Sequence, residues 1–533
     1  MPSTNTPMSV NPSPASWLER RAHLQPELEC IVYWHEAERA ERWTYGQLQK
    51  SAIRLAVELE RRGIKAGDRV AFLDYNDARF AVVMFAAARV GAIFVPVNFR
   101  LSAPEVVAII NDCDASMLIY GDRFEPIRHA VQQGCACPQF VRSGREQDDD
   151  LQAMMEAVPG DAATTLRMAG WDETAWLLYT SGSTGHPKGV MLSHGNLFWN
   201  TLNIVLLQGG FATDKVLISA PLFHAAPVAT FMDCFLRGAC IHLERAFDES
   251  QVLRRIANEK ITLIAGVPAM YKTMAAHTAF ESTDLSSLRA VIVGGAPVPE
   301  ALIAEYRRRE VAVIHRYGLT EATVLVAALS PTAPPSKQMS TGLSPLFSEF
   351  RIRASEAKGG LESSAATVAN AGEIGEIEVR GPNVMQGYWK READTRAVMH
   401  DGWLSTGDLG QVDKDGYLRV AGRLKDMIIT GGENVYATEV ESRLVEYAPI
   451  LEAAVIGLPD ARWGETVCAV LSIKTGFSVT EKDVLANLDG RLARYKQPRL
   501  MIFRETLPKN GAGKVDKLRL RREYLGAMPD ATN

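Results

Sequence analysis

The stretch Thr180-Ser-Gly-Ser-Thr-Gly-His-Pro-Lys-Gly189 decides how this chain is read. It follows an apolar run at 175–178 and precedes another at 190–192. A flexible linker has no reason to sit between two buried strands. Gly182, Gly185 and Gly189 permit tight turns with exposed N–H groups. The hydroxyls of Thr180, Ser181, Ser183 and Thr184 and the ammonium of Lys188 add further donors. Such a concentration of donors cradles phosphate oxygens. The glycine and lysine spacing is not that of a Walker A loop, which disfavours a P-loop NTPase.

Working outward, short apolar runs at 70–73, 117–120, 216–218, 262–264 and 290–293 alternate with helical stretches such as 249–258. That alternation implies α/β architecture with largely parallel sheets. The most apolar stretch, 80–97, contains Arg89, Gly91 and Pro96. It fits a buried helix running into a buried strand better than a membrane span. Residues 144–170 read as a polar connector. From Glu373 the texture changes to short strands, 374–379 and 417–420, with turns such as Asp413-Lys-Asp-Gly416. Beyond Arg423 the chain has its own strand, 453–456, and its own helix start. Thr438, three residues before Glu441, reads there as a capping box. The expected fold is α/β: a large N-terminal domain of several subdomains, with mostly parallel sheets, and a small α+β C-terminal domain. The expected boundaries are a disordered lead-in at 1–17, the large domain at 18–422 and a mobile small domain at 423–533, with a hinge near 422–426.

Composition narrows the function. The 533 residues carry 58 basic and 63 acidic side chains, a net charge of −5, so nucleic acid and anionic membrane are poor default partners. At 47% hydrophobic the chain can bury several cores without disulfides or metals. Seven scattered cysteines argue against a secreted disulfide framework. Cys135-Ala-Cys137, with only His129 nearby, reads as two unrelated thiols. The N-terminus lacks a basic start and an apolar run, so it is not read as a signal peptide. A cytoplasmic protein without a membrane span is expected; the oligomeric state is open, a homodimer being one possibility.

Further motifs follow in order: Tyr317-Gly-Leu-Thr-Glu321, Ser405-Thr-Gly-Asp408, Gly422-Arg-Leu-Lys-Asp426, Gly431-Gly-Glu-Asn-Val435 and Asn510-Gly-Ala-Gly-Lys514. Together with the 180–189 loop they resemble the adenylate-forming superfamily: acyl-CoA synthetases, peptide-synthetase adenylation domains and beetle luciferases. The resemblance runs from Trp43 to Arg522, nearly the whole chain.

It implies a two-step reaction with ATP, Mg²⁺ and coenzyme A. A carboxylate attacks the α-phosphate, giving an acyl-adenylate and pyrophosphate; a thiol then displaces AMP. An anion meets a polyanion in the first step, so charge neutralisation is the main demand. By the resemblance, Thr180, Ser181, Gly182, Ser183, Thr184, Gly185 and Lys188 hold the β- and γ-phosphates. Thr320 touches the α-phosphate, and Glu321, with Thr184, holds Mg²⁺. Gly294, Gly295, Ala296 and Pro297 form a turn that a flat adenine can approach, with Tyr317-Gly318 beside it. Asp408 and Arg423 take the ribose. Lys514 carries the adenylation chemistry by reaching both carboxylate and α-phosphate. Lys425 is the hinge, and Gly431 and Gly432 line a tunnel for the pantetheine arm.

The acyl site is read from His224, Val267, His315, Arg316 and Val324. Its apolar members favour a fatty or aromatic acid. Arg316 departs from the glycine of many fatty- and aryl-acid members and is similar to the arginine of malonyl-CoA synthetases. It either pairs with a second carboxylate or turns away into a structural contact. The insertion at 354–371 is assigned no function. CoA is the expected acceptor; a carrier-protein pantetheine and a nitrogen nucleophile remain alternatives.

Overall fold

The computed structural model describes residues 10–35, 39–144, 149–160, 164–181, 187–354, 368–460, 462–510 and 513–525. Contacts divide the chain into two compact units. The first comprises Met1–Gln338, Gly342–Phe350 and Val379–Leu404; the second comprises Met339–Thr341, Arg351–Glu378 and Ser405–Asn533.

Two sheets organise the first unit. One runs, in spatial order, Gly387–Tyr388, Pro187–Ser193, Thr174–Ser181, Ile93–Pro96, Arg69–Leu73, Ala115–Gly121, Phe140–Ser143. The other runs Ala327–Ala328, Ala312–Tyr317, Ala290–Gly294, Leu263–Gly266, Lys215–Ile218, Cys240–Glu244, Glu29–Trp34, Ala40–Thr44. Both are parallel at the centre; the second is antiparallel at both edges, and the first only at the Gly387–Tyr388 edge, since Phe140–Ser143 pairs parallel with Ala115–Gly121. Doubly covered parallel strands need apolar residues on both faces, which is why 70–73 and 290–293 are continuous apolar runs. Helix Ala78–Val90 is buried on almost every side and ends at Gly91 in the left-handed conformation, leading into strand Ile93–Pro96. No helix among the described residues is long and apolar enough to cross a membrane.

Two sequence expectations are corrected here. The lead-in gives way to a helix, Pro14–Leu24, whose Trp17 and Leu18 are buried; Pro14 suits a first helical turn, where its missing N–H costs nothing. Residues 1–9 lie outside the described residues. The 144–170 connector contains helix Asp150–Glu156, capped by Asp149, with Leu151, Met154 and Met155 buried. Those three share one face at helical spacing, a pattern too short to stand out in a polar surround.

In the second unit an α+β module is built on strands Met427–Thr430, Glu433–Tyr436, Ile450–Asp460, Gly464–Ile473 and Leu500–Arg504. All pair antiparallel except Leu500–Arg504, which runs parallel to Gly464–Ile473. The capping box expected at Thr438 is absent. Helix Ala437–Val445 begins two residues earlier, with Tyr436 rather than Thr438 at its N-cap. Glu441 instead turns inward, where it accepts the Val455 N–H at 2.7 Å. The strands Trp403–Val412 and Leu418–Arg423 pair so that Asp408 faces Arg423 across the ladder.

Candidate active site

The 180–189 loop joins two antiparallel strands, with Thr180 opposite Lys188. Gly182, Ser183, Thr184 and Gly185 lie outside the described residues, as does the side chain of Ser181. Lys188 is described, and two contacts of its ammonium lie among the described residues. Its Nζ stands 3.1 Å from Asp394 Oδ2 and 5.1 Å from the centre of the Tyr388 ring. The Tyr388 hydroxyl donates to Glu321 Oε1 at 2.9 Å. Burial and the Glu321 carboxylate push the Tyr388 phenol well above its ordinary value, so it remains a donor. A cation, a hydroxyl and a carboxylate from three distant segments are thus joined in one array. Tyr388 and Asp394 were not singled out in the sequence. The one available signal was Gly387-Tyr388, which follows a turn-rich stretch after strand Gly375–Arg380.

Glu321 sits on a single helical turn, Thr320–Ala322, and its backbone is pinned by the Met385 N–H at 2.8 Å. The turn is tightly determined. A Cβ on Gly318 would lie 1.2 Å from the Val324 carbonyl oxygen, so only glycine fits. Thr323 and Val324 both take positive φ, 50° and 99°. That conformation is costly for a non-glycine residue, above all a β-branched one. Asn383 compensates. Its amide donates to the Ala322 and Leu325 carbonyls at 2.9 Å each, and its own carbonyl accepts the Thr323 hydroxyl at 2.6 Å. Asn200 accepts the Leu325 N–H at 3.2 Å.

Strands Ala290–Gly294 and Ala312–Tyr317 are parallel neighbours, and Gly294 lies opposite Arg316. Gly295 has φ 80°, and a Cβ there would come within 3.7 Å of Val267. Gly295, Ala296 and Pro297 are exposed and Tyr317 is half-buried, so a flat ring has open backbone beside it. In open parallel sheets ligands bind at the carboxyl ends of the strands, which is where these residues lie.

Of the acyl-site candidates, His224 caps helix Ala225–Arg237, its ring 4.3 Å from that of Phe223. Val267 is exposed, while Val324 and His315 are buried. Arg316 is buried too and turns toward two helices. Its Nη1 donates to Thr230 Oγ1 at 3.0 Å and its Nη2 to Gln208 Oε1. Among the described residues, no hydrogen-bond partner meets Arg316 Nε or Gln208 Nε2. Burial lowers the guanidinium to about 10, with Asp233 opposing that effect. Gln208 and Thr230 also line a small cavity of about 50 Å³ with Asp233 and Arg237.

The second unit gathers the remaining polar candidates. Asp408 is buried, with Oδ1 3.2 Å from Arg423 Nε. Lys514 is exposed as a residue, yet its ammonium end is desolvated. That desolvation and the like charge of Arg423 hold its pKa below the ordinary lysine value, while Asp408 pulls it upward. The Lys514 N–H donates to Asn510 Oδ1 at 3.1 Å and its carbonyl accepts the Asn510 N–H at 2.8 Å. Lys425 is exposed on the turn Leu424–Asp426. Gly431 and Gly432 have φ 61° and 83°. A Cβ on Gly431 would press on Trp463 at 2.9 Å, whereas Gly432 faces open space.

Comparison with known proteins shows the family. Residues 18–389 match the AMP-binding enzyme model, and residues 439–514 match the AMP-binding enzyme C-terminal domain. A feruloyl-CoA synthase of an Amycolatopsis species is 40% identical over 510 residues, covering 96% of this chain and 98% of that protein. An indoleacetate–CoA ligase of Aromatoleum aromaticum is 38% identical, covering 94% of this chain and 96% of that one. The o-succinylbenzoate CoA synthetase of Bacillus subtilis, solved with its acyl-adenylate intermediate, superposes with a TM-score of 0.83 at 30% identity, covering 95% and 97%. With both family models matched and nearly full-length likeness to CoA ligases, the chain belongs to the AMP-binding enzymes of the adenylate-forming superfamily and is an AMP-forming acyl-CoA synthetase.

Proposed function

We propose that the acid is aromatic, with a hydrogen-bond-accepting group at its far end, and that the acceptor thiol is that of CoA. The single observation that carries the nucleotide half of this reading is the Lys188–Tyr388–Glu321 array. It supplies a cation for phosphate oxygens and a carboxylate for a hard cation. Tyr388 engages Glu321 Oε1, and the other oxygen of the carboxylate is the one that would meet a metal. Magnesium takes few protein ligands and draws the rest from phosphates and water, so one or two carboxylates suffice.

In the first step a substrate carboxylate oxygen bonds to the α-phosphorus of ATP, and the bond to the pyrophosphate oxygen breaks. Lys188 and the 180–185 donors neutralise the leaving pyrophosphate, Thr320 hydrogen-bonds the α-phosphate, and Glu321 with Thr184 would hold Mg²⁺, which would offset the phosphate charge. The turn 294–297 and Tyr317 take the adenine, and Asp408 with Arg423 the ribose. Lys514 brings its ammonium to the carboxylate and α-phosphate, and His224 stands beside that carboxylate. In the second step the thiol sulfur bonds to the acyl carbon and the bond to AMP breaks. Rotation at Lys425 withdraws Lys514, and the Gly431-Gly432 turn receives the pantetheine arm.

The far-end oxygen rests on Arg316, and the aromatic character on the relatives named above. A buried guanidinium and a buried amide, each with an unused donor, favour an oxygen on the substrate. The feruloyl and indoleacetate ligases above bear names of aromatic acids. A dicarboxylate is the second reading, favoured by the same unused donors.

Incubation with ATP, Mg²⁺, CoA and a panel of aromatic, fatty and dicarboxylic acids, read by mass spectrometry, tests this. Acyl-CoA and AMP are expected, with oxygenated aromatic acids turned over fastest. Arg316→Ala is expected to lower kcat/KM about tenfold for acids with a far-end oxygen and little for those without. A uniform loss across the panel refutes the role of Arg316. Hydroxamate formed with hydroxylamine, but no acyl-CoA, moves the second step to another acceptor.

A further inference from the structure

Glu441 and Lys517 have no part in the scheme above, yet they are joined at 2.7 Å in the second unit. Glu441 lies on helix Ala437–Val445, facing inward. The same oxygen that meets Lys517 Nζ also accepts the Val455 N–H of strand Ile450–Asp460. Lys517 opens helix Lys517–Leu525 and follows Lys514 by three residues. One carboxylate therefore fastens a helix, a strand and the first residue of the helix that follows the Lys514 loop. Lys517 Nζ also stands 3.9 Å from Asp426, on the turn that carries Lys425.

The described residues of the loop are also tied locally, Lys509 pairing antiparallel with Val515 and the Gly513 N–H donating to the Asn510 carbonyl at 2.8 Å. Asn510 holds Lys514 by two hydrogen bonds, and the Asp516 N–H donates to the Pro508 carbonyl at 2.8 Å. Leu507 before the loop and Leu520 after it are buried in one small apolar cluster with Ala454 and Ile456. Apolar packing fixes how close the helix lies to the sheet, but not its sliding or rotation. The Glu441–Lys517 pair, with about four-fifths of each side chain covered (19% and 21% exposed), restrains both, because its short Nζ–Oε1 contact holds only over a narrow range of positions.

We propose that the Glu441–Lys517 pair is a positioning device for Lys514. It sets the height and angle of the helix start, and so of the loop that presents the ammonium. The inference rests on the reading of Lys514 as the adenylation lysine. Glu441 and Lys517 touch no reacting atom in this account. Loss of the pair should slow the step that needs Lys514 and spare the step from which Lys514 has withdrawn.

The test uses the full chain and two assays: pyrophosphate release from ATP plus acid, and thioester formation from supplied acyl-adenylate and CoA. Glu441→Gln and Lys517→Met are expected to lower the adenylation kcat about tenfold, with KM for ATP and acid and the thioester rate changed by less than about twofold. Lys517→Arg, which keeps the charge, is expected to restore most of the adenylation rate. Equal loss in both half-reactions, or no loss in either, overturns the proposal. If Glu441→Gln fails to fold, the two Lys517 variants carry the same comparison; if Lys517→Met also fails to fold, the role is structural and the proposal is overturned. Lys514→Ala in the same assays tests the underlying reading. If it leaves adenylation intact, that reading fails. If it abolishes adenylation while the pair variants do not slow it, only the pair's role fails.

Discussion

The turn that follows Tyr317 and the loop that carries Lys514 are held by different means. At Gly318 a single added carbon would overlap a carbonyl, and Thr323 and Val324 are held in strained backbone by Asn383 and Asn200. Strain of ~1–3 kcal/mol per residue persists only where the surroundings over-determine the backbone. The Lys514 loop shows the opposite pattern. Gly513 and Lys514 are exposed, Asn510 ties Lys514, and Lys517 anchors the base. The contrast fits the division of labour proposed above. Groups that hold nucleotide and metal throughout the reaction need a fixed frame. A lysine that serves one step and leaves needs a firm base and a loose tip.

The comparison breaks first at Gly318. Gly318→Ala is expected to cost at least ~10²-fold in adenylation, because the carbon must displace the Glu321 turn by an ångström or more. Its melting temperature should also fall. Near-normal adenylation in this variant would mean that the turn is not the fixed frame described here.

A smaller and more selective effect is expected at Gly432, which faces open space with φ 83°. Gly432→Leu should slow thioester formation about tenfold or more, by filling the path of the pantetheine arm, while leaving pyrophosphate release unchanged. Gly432→Ala should cost only the left-handed strain, ~1 kcal/mol of stability. An unchanged thioester rate in the leucine variant sinks the tunnel assignment.

Much of the frame was legible in the sequence, because it rests on local patterns. Apolar runs such as 70–73 and 290–293 fall within the observed strands, and Gly91 ends the helix that the 80–97 run contains. The buried Arg316 stood out because an arginine replaces the glycine of many family members just before Tyr317. Its direction was not legible, since Gln208 and Thr230 lie 108 and 86 residues away along the chain. The same holds for Tyr388, which meets Glu321 across 67 residues. Thr438 and Glu441 were misread for a related reason. A capping-box spacing is a local pattern, whereas the partners of Glu441 are a strand and a second helix that the spacing does not contain. The Trp17 helix and the 150–156 helix were missed because each buries only a few apolar residues within a polar stretch.

The central claim is that Lys514 serves adenylation and not thioester formation. The most direct measurement is Lys514→Ala in both half-reactions, with acyl-adenylate supplied for the second. A loss of ~10²–10³-fold in pyrophosphate release, the size expected for a group that neutralises developing charge, with the thioester rate held within about threefold, is the predicted result. Equal loss in both steps, or none in the first, would contradict it.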